Sequence, residues 1–134
     1  AMVAPMFETP GLELILGATR DLQFGPMVVL GFGGTQAEAL EDVAVLHPPF
    51  GVVRARRALQ GLRLGALLES GRGQPPFPVD RFCEMAARFS HMIVSLQDAL
   101  EEVDINPVRL TATDCIGLDA LVVPTGSAGE STTE

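Results

Sequence analysis

Strand-like apolar runs come first and last in this chain, and the helical patterns fall between them. Leu12–Leu16, set between Gly11 and Gly17, and Met27–Leu30, ahead of Gly31-Phe32-Gly33-Gly34, have strand length and glycine boundaries. Residues 1–10 read as extended chain and Thr19–Pro26 as a loop. Thr35–Val45 predicts a third strand with a bulge at Leu40-Glu41, closed by His47-Pro48-Pro49. Helices are predicted over 52–59, ending at Gly61, and over 62–69, followed by a loop at 70–76. The longest helix starts at Pro78 or Val79. Its stripe of Phe82, Met85, Ala86, Phe89, Ile93 and Leu96 recurs at three- and four-residue steps and predicts a core face. Strands over 103–110 and 115–122, joined by a turn at 111–114, follow. Strands, then helices, then strands with hairpin-like connections favour an α+β fold, its mixed or mostly antiparallel sheet flanked by helices, over a doubly wound α/β fold.

At 134 residues the chain is one domain or a piece of a larger protein. A hydrophobic fraction of 47% and mean hydropathy of +0.30 are high for this length. The surplus suits either a plain core or an apolar face kept for a partner domain or for self-association. Residues 125–134 hold no apolar side chain larger than Ala and read as a disordered tail after a domain spanning 1–124.

Charge excludes one large class of partner. The net charge is −8, and all nine basic residues are Arg, with no Lys anywhere. Nucleic-acid binding needs a clustered basic surface, so none is expected. Arg suits bidentate contact with phosphate or carboxylate. Cys83 and Cys115 lack metal-ligand spacing and read as reduced thiols of a cytoplasmic protein. No run reaches the roughly 18 apolar residues of a membrane span, and the first residues carry no basic segment of a signal peptide.

Several residue types point to anion or metal chemistry, each with a structural alternative. Asn106 and Asp119, thirteen residues apart, sit in or beside apolar runs. If those runs pair as a hairpin, an amide oxygen and a carboxylate meet on one face. That ligand set suits Mg²⁺, which takes one or two carboxylates and leaves its other positions to water and phosphate. Asn106-Pro107 also reads as a turn, and Asp119 as a solvated strand residue. Glycines at 31, 33 and 34 let backbone N–H groups approach an anion, or make a tight turn. Arg20 reads as a phosphate contact or a surface residue, and Glu13 and Glu38 as site carboxylates or outward strand residues. The acidic run from Glu101 lacks the sixth-position Gly and closing Glu of an EF-hand, and neither His47 nor His91 has a catalytic partner at a telling spacing.

The order of these blocks is more specific than any one of them. Gly11-Leu12-Glu13-Leu14-Ile15-Leu16-Gly17 is followed by Arg20-Asp21, Phe24-Gly25-Pro26, then Gly31, Gly33, Gly34 and Glu38. Gly71-Arg72-Gly73, Asp104-Ile105-Asn106-Pro107 and Leu118-Asp119-Ala120 complete the series. From about residue 3 to about residue 123 the chain resembles the ATP-grasp domain of ADP-forming acyl-CoA synthetases, relatives of the succinyl-CoA synthetase β subunit. The resemblance covers the second, C-terminal subdomain of that domain. It implies an acid–CoA ligase in which Mg-ATP phosphorylates a histidine carried by another domain. The partners it implies are the N-terminal ATP-grasp subdomain, with its phosphate-binding lysine and lid, and CoA-binding and ligase domains or a subunit; alone the chain would be inactive. By resemblance Asn106 and Asp119 are the Mg²⁺ ligands, Arg20 contacts phosphates, and Val3, Ala4, Pro5 and Met6 form the adenine hinge. Glu13 would lie near the ribose, with Gly33, Gly34 and Glu38 toward the phosphoryl-transfer centre. The loop around Gly71 departs from the family at Ser70 and in its longer Pro75-Pro76-Phe77-Pro78. A second reading makes the chain a ligand-sensing or structural module of a protein lysine acetyltransferase fusion.

Overall fold

The computed structural model describes residues 11–33, 42–63, 65, 78–111, 113–126 and 132–133. Its elements run β1 (Gly11–Asp21), β2 (Gly25–Phe32), β3 (Asp42–Leu46), α1 (Val52–Gln60), α2 (Val79–Ser95), β4 (Leu100–Thr111), β5 (Cys115–Gly117), β6 (Ala120–Pro124) and β7 (Thr132–Thr133). One sheet holds all the strands in the order β3-β2-β1-β4-β6-β7, with β5 also pairing β4, and each pairing is antiparallel. The α+β reading holds, and the mixed option resolves to antiparallel.

Alternation along the strands gives the sheet two different faces. Leu14, Leu16 and Ala18 of β1, Val28 and Leu30 of β2, and Val108 and Leu110 of β4 are buried. They pack with Ala55 and Leu59 of α1 and with Phe82, Ala86, Phe89 and Ile93 of α2 in one core. Because side chains alternate across a strand, Glu13, Ile15, Gly17, Val29, Gly31, Asp104 and Arg109 fall on the opposite, open face. Both helices therefore cover the same side of the sheet.

The helices match their sequence signals closely. Gly61 ends α1 in an αR C-cap, where its N–H donates to the Arg57 carbonyl and the Leu62 N–H to the Leu59 carbonyl. On α2 the stripe buries Phe82, Ala86, Phe89 and Ile93, and the turns between them add Cys83, Ala87 and Ser90. Leu96 falls off the stripe because it is the C-cap residue, beyond the last helical turn. Arg56 of α1 forms an ion pair with Asp80 at the start of α2.

Ser90 is the polar lock between the helices and the loop before α1. Its hydroxyl is fully buried, donates to the Ala87 carbonyl at 2.7 Å and accepts the Phe50 N–H at 3.1 Å. Ser90→Ala strands that N–H inside the core, so urea unfolding should show a loss of about 1–3 kcal/mol, the desolvation cost of an unpaired donor.

Both cysteines are free, as expected. Burial pushes the Cys83 thiol up to about 11 from 9.0, against the opposing pull of Arg56, and burial raises Cys115 too. The folded state thus holds this proton more tightly than the unfolded chain does. The resulting stability is complete below pH 9 and is lost as pH rises through the folded value, near 11. Lys and Tyr are absent from the chain, so among its side chains only thiols titrate in that window. The urea midpoint should fall between pH 9 and 11, at most about 1.4 kcal/mol per pH unit for one thiol, and Cys83→Ala should flatten the slope.

Strand boundaries differ from the sequence reading. Thr19, Arg20 and Asp21 belong to β1, so the expected loop shrinks to the turn at 22–24. That turn is held by Asp21 Oδ1, which accepts the N–H groups of Gln23 (2.7 Å) and Phe24 (2.9 Å). The same bonds hold the Asp21 carboxyl below its usual value. Of the expected strand 35–45, only the part from Asp42 is described, and of the expected helix 62–69 only a short turn at Leu62-Arg63 and Gly65. The stretch read as a tail contributes Thr132 and Thr133 to the sheet edge. Among the described residues no helix is long and apolar enough to cross a membrane.

Candidate functional site

The single predicted strand 115–122 is broken in the structure, and the break builds the site. β5 pairs with β4 through Val108↔Gly117, and β6 pairs with it through Ile105↔Ala120. Between these rungs Asn106 and Pro107 face Leu118 and Asp119. The Asn106 N–H donates to the Asp119 carbonyl at 3.2 Å, and the Leu118 N–H to the Pro107 carbonyl at 2.9 Å. Both Asn106 and Asp119 are exposed. The Ala120 N–H donates to Asp119 Oδ1 at 2.9 Å, which orients the carboxylate.

A bulge on the other side of β4 aims Asn106. Leu14 pairs with Val108 and Leu16 with Ile105, so Ile15 alone opposes both Asn106 and Pro107. Such bulges redirect side chains. Here the extra residue lets Ile105 and Val108 both meet the core while Asn106 turns to the open face. Its amide oxygen lies 3.6 Å from where a Cβ on Gly33 would stand, and Ile15 Cγ2 lies 2.7 Å from that point. Gly33 is fixed in turn, its N–H donating to the Glu13 carbonyl at 2.8 Å. Gly33, Ile15, Asn106 and Asp119 thus form a row across four neighbouring segments, and only glycine leaves room over Ile15.

Charge on the open face is acidic. Glu13, Glu102 and Asp104 lie there by strand alternation and register, with Arg109 opposite Glu13, and Asp119 sits in the break beside Asn106. Among the described residues no three His, Cys, Asp or Glu side chains gather as a metal cage. One amide oxygen plus one oriented carboxylate, open to solvent, is a donor set for a hard cation that retains water or phosphate ligands.

The other sequence candidates divide. Glu13 stands next to the row. Arg20 does not join it: it shares the helix-facing side of β1 with Leu14, Leu16 and Ala18. From Ile15 it lies five residues along the strand, roughly 16 Å. Its Nη1 donates to Glu101 Oε2 at 3.4 Å, beside the shallow hollow lined by Ala18, Ile93 and Leu100. Val3, Ala4, Pro5, Met6, Gly34 and Glu38 lie outside the described residues. The sequence reading passed over Asp104 and Arg109. Asp104 Oδ1 lies 3.1 Å from a Cβ built on Gly17. Period-two alternation from Asn106 would have found Asp104, but the bulge throws the count out for Arg109.

Residues 1–123 match the family of ATP-grasp domains. The chain belongs to that family. Among its relatives, the β subunit of acetate–CoA ligase (ADP-forming) II of Pyrococcus furiosus is 34% identical over 107 residues, covering 80% of this chain and 45% of the relative. The 4-hydroxybutyrate–CoA ligase (ADP-forming) of Nitrosopumilus maritimus is 32% identical over 98 residues, covering 73% of this chain and 14% of that enzyme. This ATP-grasp chain therefore spans less than half the length of either relative.

Solved structures agree on the fold. A crystal structure of a Pyrococcus horikoshii protein superposes with a TM-score of 0.79 at 28% identity, over 92% of this chain and 51% of that one. Acetyl-coenzyme A synthetase 1 of Candidatus Korarchaeum cryptofilum gives 0.77 at 30% identity, over 86% of this chain and 54% of the other. That synthetase was solved with coenzyme A and Mg-AMPPCP, its phosphohistidine segment pointing towards the nucleotide binding site. The relatives lend no support to the acetyltransferase-fusion reading.

Proposed function

We propose that this chain is the second half of an ATP-grasp domain that binds Mg-ATP within an ADP-forming acid–CoA ligase. The observation that carries this is the juxtaposition of Asn106 and Asp119, whose backbones share a hydrogen bond on the sheet face opposite the helices. The ADP-forming CoA ligases among the relatives, and the Mg-nucleotide bound to the Korarchaeum synthetase, support the reaction class.

The chemistry asks little covalent work of the protein. Phosphoryl transfer needs alignment and neutralisation of charge more than a protein nucleophile. Asn106 and Asp119 would hold a Mg²⁺ ion, which would supply that neutralisation. Asp119 offers the one full charge, held by the Ala120 N–H, and Asn106 a neutral oxygen aimed by the bulge. Gly33 leaves the floor over Ile15 low enough for a ligand to approach Asn106. Val3, Ala4, Pro5 and Met6 would read the base, and Gly34 and Glu38 would stand toward the transferred phosphoryl group. Arg20 lies on the helix side of the sheet, paired with Glu101. The preceding ATP-grasp half would close the open face, and CoA-binding and ligase domains or a subunit would carry the histidine and the acid.

Calorimetry decides the matter. With the chain joined to its preceding ATP-grasp half, ATP should bind at least tenfold more tightly in Mg²⁺ than in EDTA. ATP affinity indifferent to the metal would refute a metal-bridged site.

A further inference from the structure

Helix α1 carries three arginines and no acidic residue, in a chain whose net charge is −8. We infer that the groove between α1 and the end of β3 is a docking surface for an acidic protein segment, which sets an apolar side chain in the groove and carboxylates on Arg54 and Arg57. The surface stands apart from Asn106 and Asp119, because α1 packs against the other side of the sheet.

The groove itself is the first support. Leu46, Val53, Arg54, Arg57 and Ala58 line a hollow of about 530 Å³, ample for a side chain, whereas the hollow beside Arg20 offers about 10 Å³. Ala55 and Leu59 fix the inner face of α1. Val53, Arg54, Arg57 and Ala58, related by three- and four-residue steps, make a neighbouring stripe. Val53 is 62% exposed, an aliphatic side chain that the described part of the chain leaves uncovered.

Charge is the second. Arg56 pairs with Asp80 and Arg20 with Glu101. Among the described residues no ion pair reaches Arg54 or Arg57. These two stand a turn apart on one side of the helix, where like charges repel. Arg54 also occupies the first turn, where the helix dipole favours an acid. Helix α1 holds no carboxylate to offset this, and an acidic segment laid across both arginines would. The groove along α2 differs, since Glu84 there stands between Arg81 and Arg88 at helical spacing and balances them locally.

Selectivity is the third. Nucleic acid and anionic membrane present extended negative charge, which a chain of net charge −8 repels. A short segment places carboxylates only at the two guanidiniums, each able to fork onto one, and covers Val53 with an apolar residue. The relatives have the chain length to provide it. This chain covers 45% of one and 14% of the other, so most of each protein lies outside the matched part.

Fluorescence anisotropy of a dye-labelled peptide repeating Glu-Glu-Leu-Leu, titrated with the 134-residue chain, tests the surface. The Glu peptide should bind, and its Gln-for-Glu counterpart should bind about tenfold more weakly, as two surface ion pairs imply. Salt should weaken the Glu peptide. Arg54→Glu with Arg57→Glu should cost it about tenfold or more, and Arg54→Gln with Arg57→Gln somewhat less. Arg81→Gln with Arg88→Gln should leave it unchanged. Val53→Ser should weaken both peptides. Failure of the parent chain to bind the Glu peptide overturns the inference, as does parent-like binding by both Arg54/Arg57 double variants. Phosphatidylserine vesicles that retain the chain and displace the peptide would also overturn it, and would assign the groove to a membrane surface.

Discussion

Asp119→Ala should weaken Mg-ATP binding by about a hundredfold, near 3 kcal/mol, in a protein carrying both halves of the ATP-grasp domain. Asp119 is the one charged member of the pair, and the Ala120 N–H at 2.9 Å sets its orientation. Asp119→Asn keeps an acceptor for that N–H and removes only the charge, so it isolates the electrostatic share and should cost nearly as much. Asn106→Ala removes a neutral oxygen and should cost about tenfold. Both side chains are exposed, so melting temperatures should stay close to the parent's. Titration of each variant with ATP at fixed Mg²⁺ gives the answer. Parent-like affinity in both Ala variants would show that the metal is held elsewhere.

Gly31→Ala should be the most damaging single methyl in the fold, at about 3 kcal/mol or more in urea unfolding. Gly31 pairs with Val43 of β3. A Cβ there would stand 2.3 Å from the Asp42 carbonyl oxygen and 2.6 Å from Val43 Cα. Both are backbone atoms, and neither can rotate away. Asp42 in turn is buried and accepts the Arg63 N–H at 2.9 Å, tying β3 to the turn after α1. Displacing β3 therefore disturbs two attachments at once. Gly61→Ala is the control of opposite sign. Its φ of −80° is open to any residue, and its nearest contact would be 3.5 Å, so it should stabilise by about 0.4–1 kcal/mol through the unfolded chain. Equal stability of the two variants would mean that β2 and β3 approach less closely than the backbone indicates.

These two sites also show how far the residues alone could be read. The glycines at 31 and 33 looked like one turn or anion-binding cluster. Gly31 instead lies inside β2 to admit β3, and Gly33 leaves room above Ile15 near the Asn106 amide. Glycine composition is visible along the chain, but the neighbour that demands it comes from another strand. Arg20 is a similar case. A loop would have left its side chain free to reach phosphates, whereas its position in β1 commits it to the helix side with Glu101.

The sequence by itself determined the order of elements, the core stripe of α2 and the pair of oxygen-bearing residues at 106 and 119. Those follow from periodicity and local turn chemistry, which act over a few residues. Only the tertiary structure decided which side chains share a face. In a sheet of period two, one residue of register reverses every side chain. The bulge at Asn106-Pro107 and the break at Leu118-Asp119 supply that residue on each side of β4. They bring Asn106, Asp119 and Arg109 to one face, while plain alternation along β1 sets Arg20 on the other. That outcome depends on pairing between strands some ninety residues apart, from Gly11 with Thr111 to Thr19 with Glu102, which no local pattern encodes.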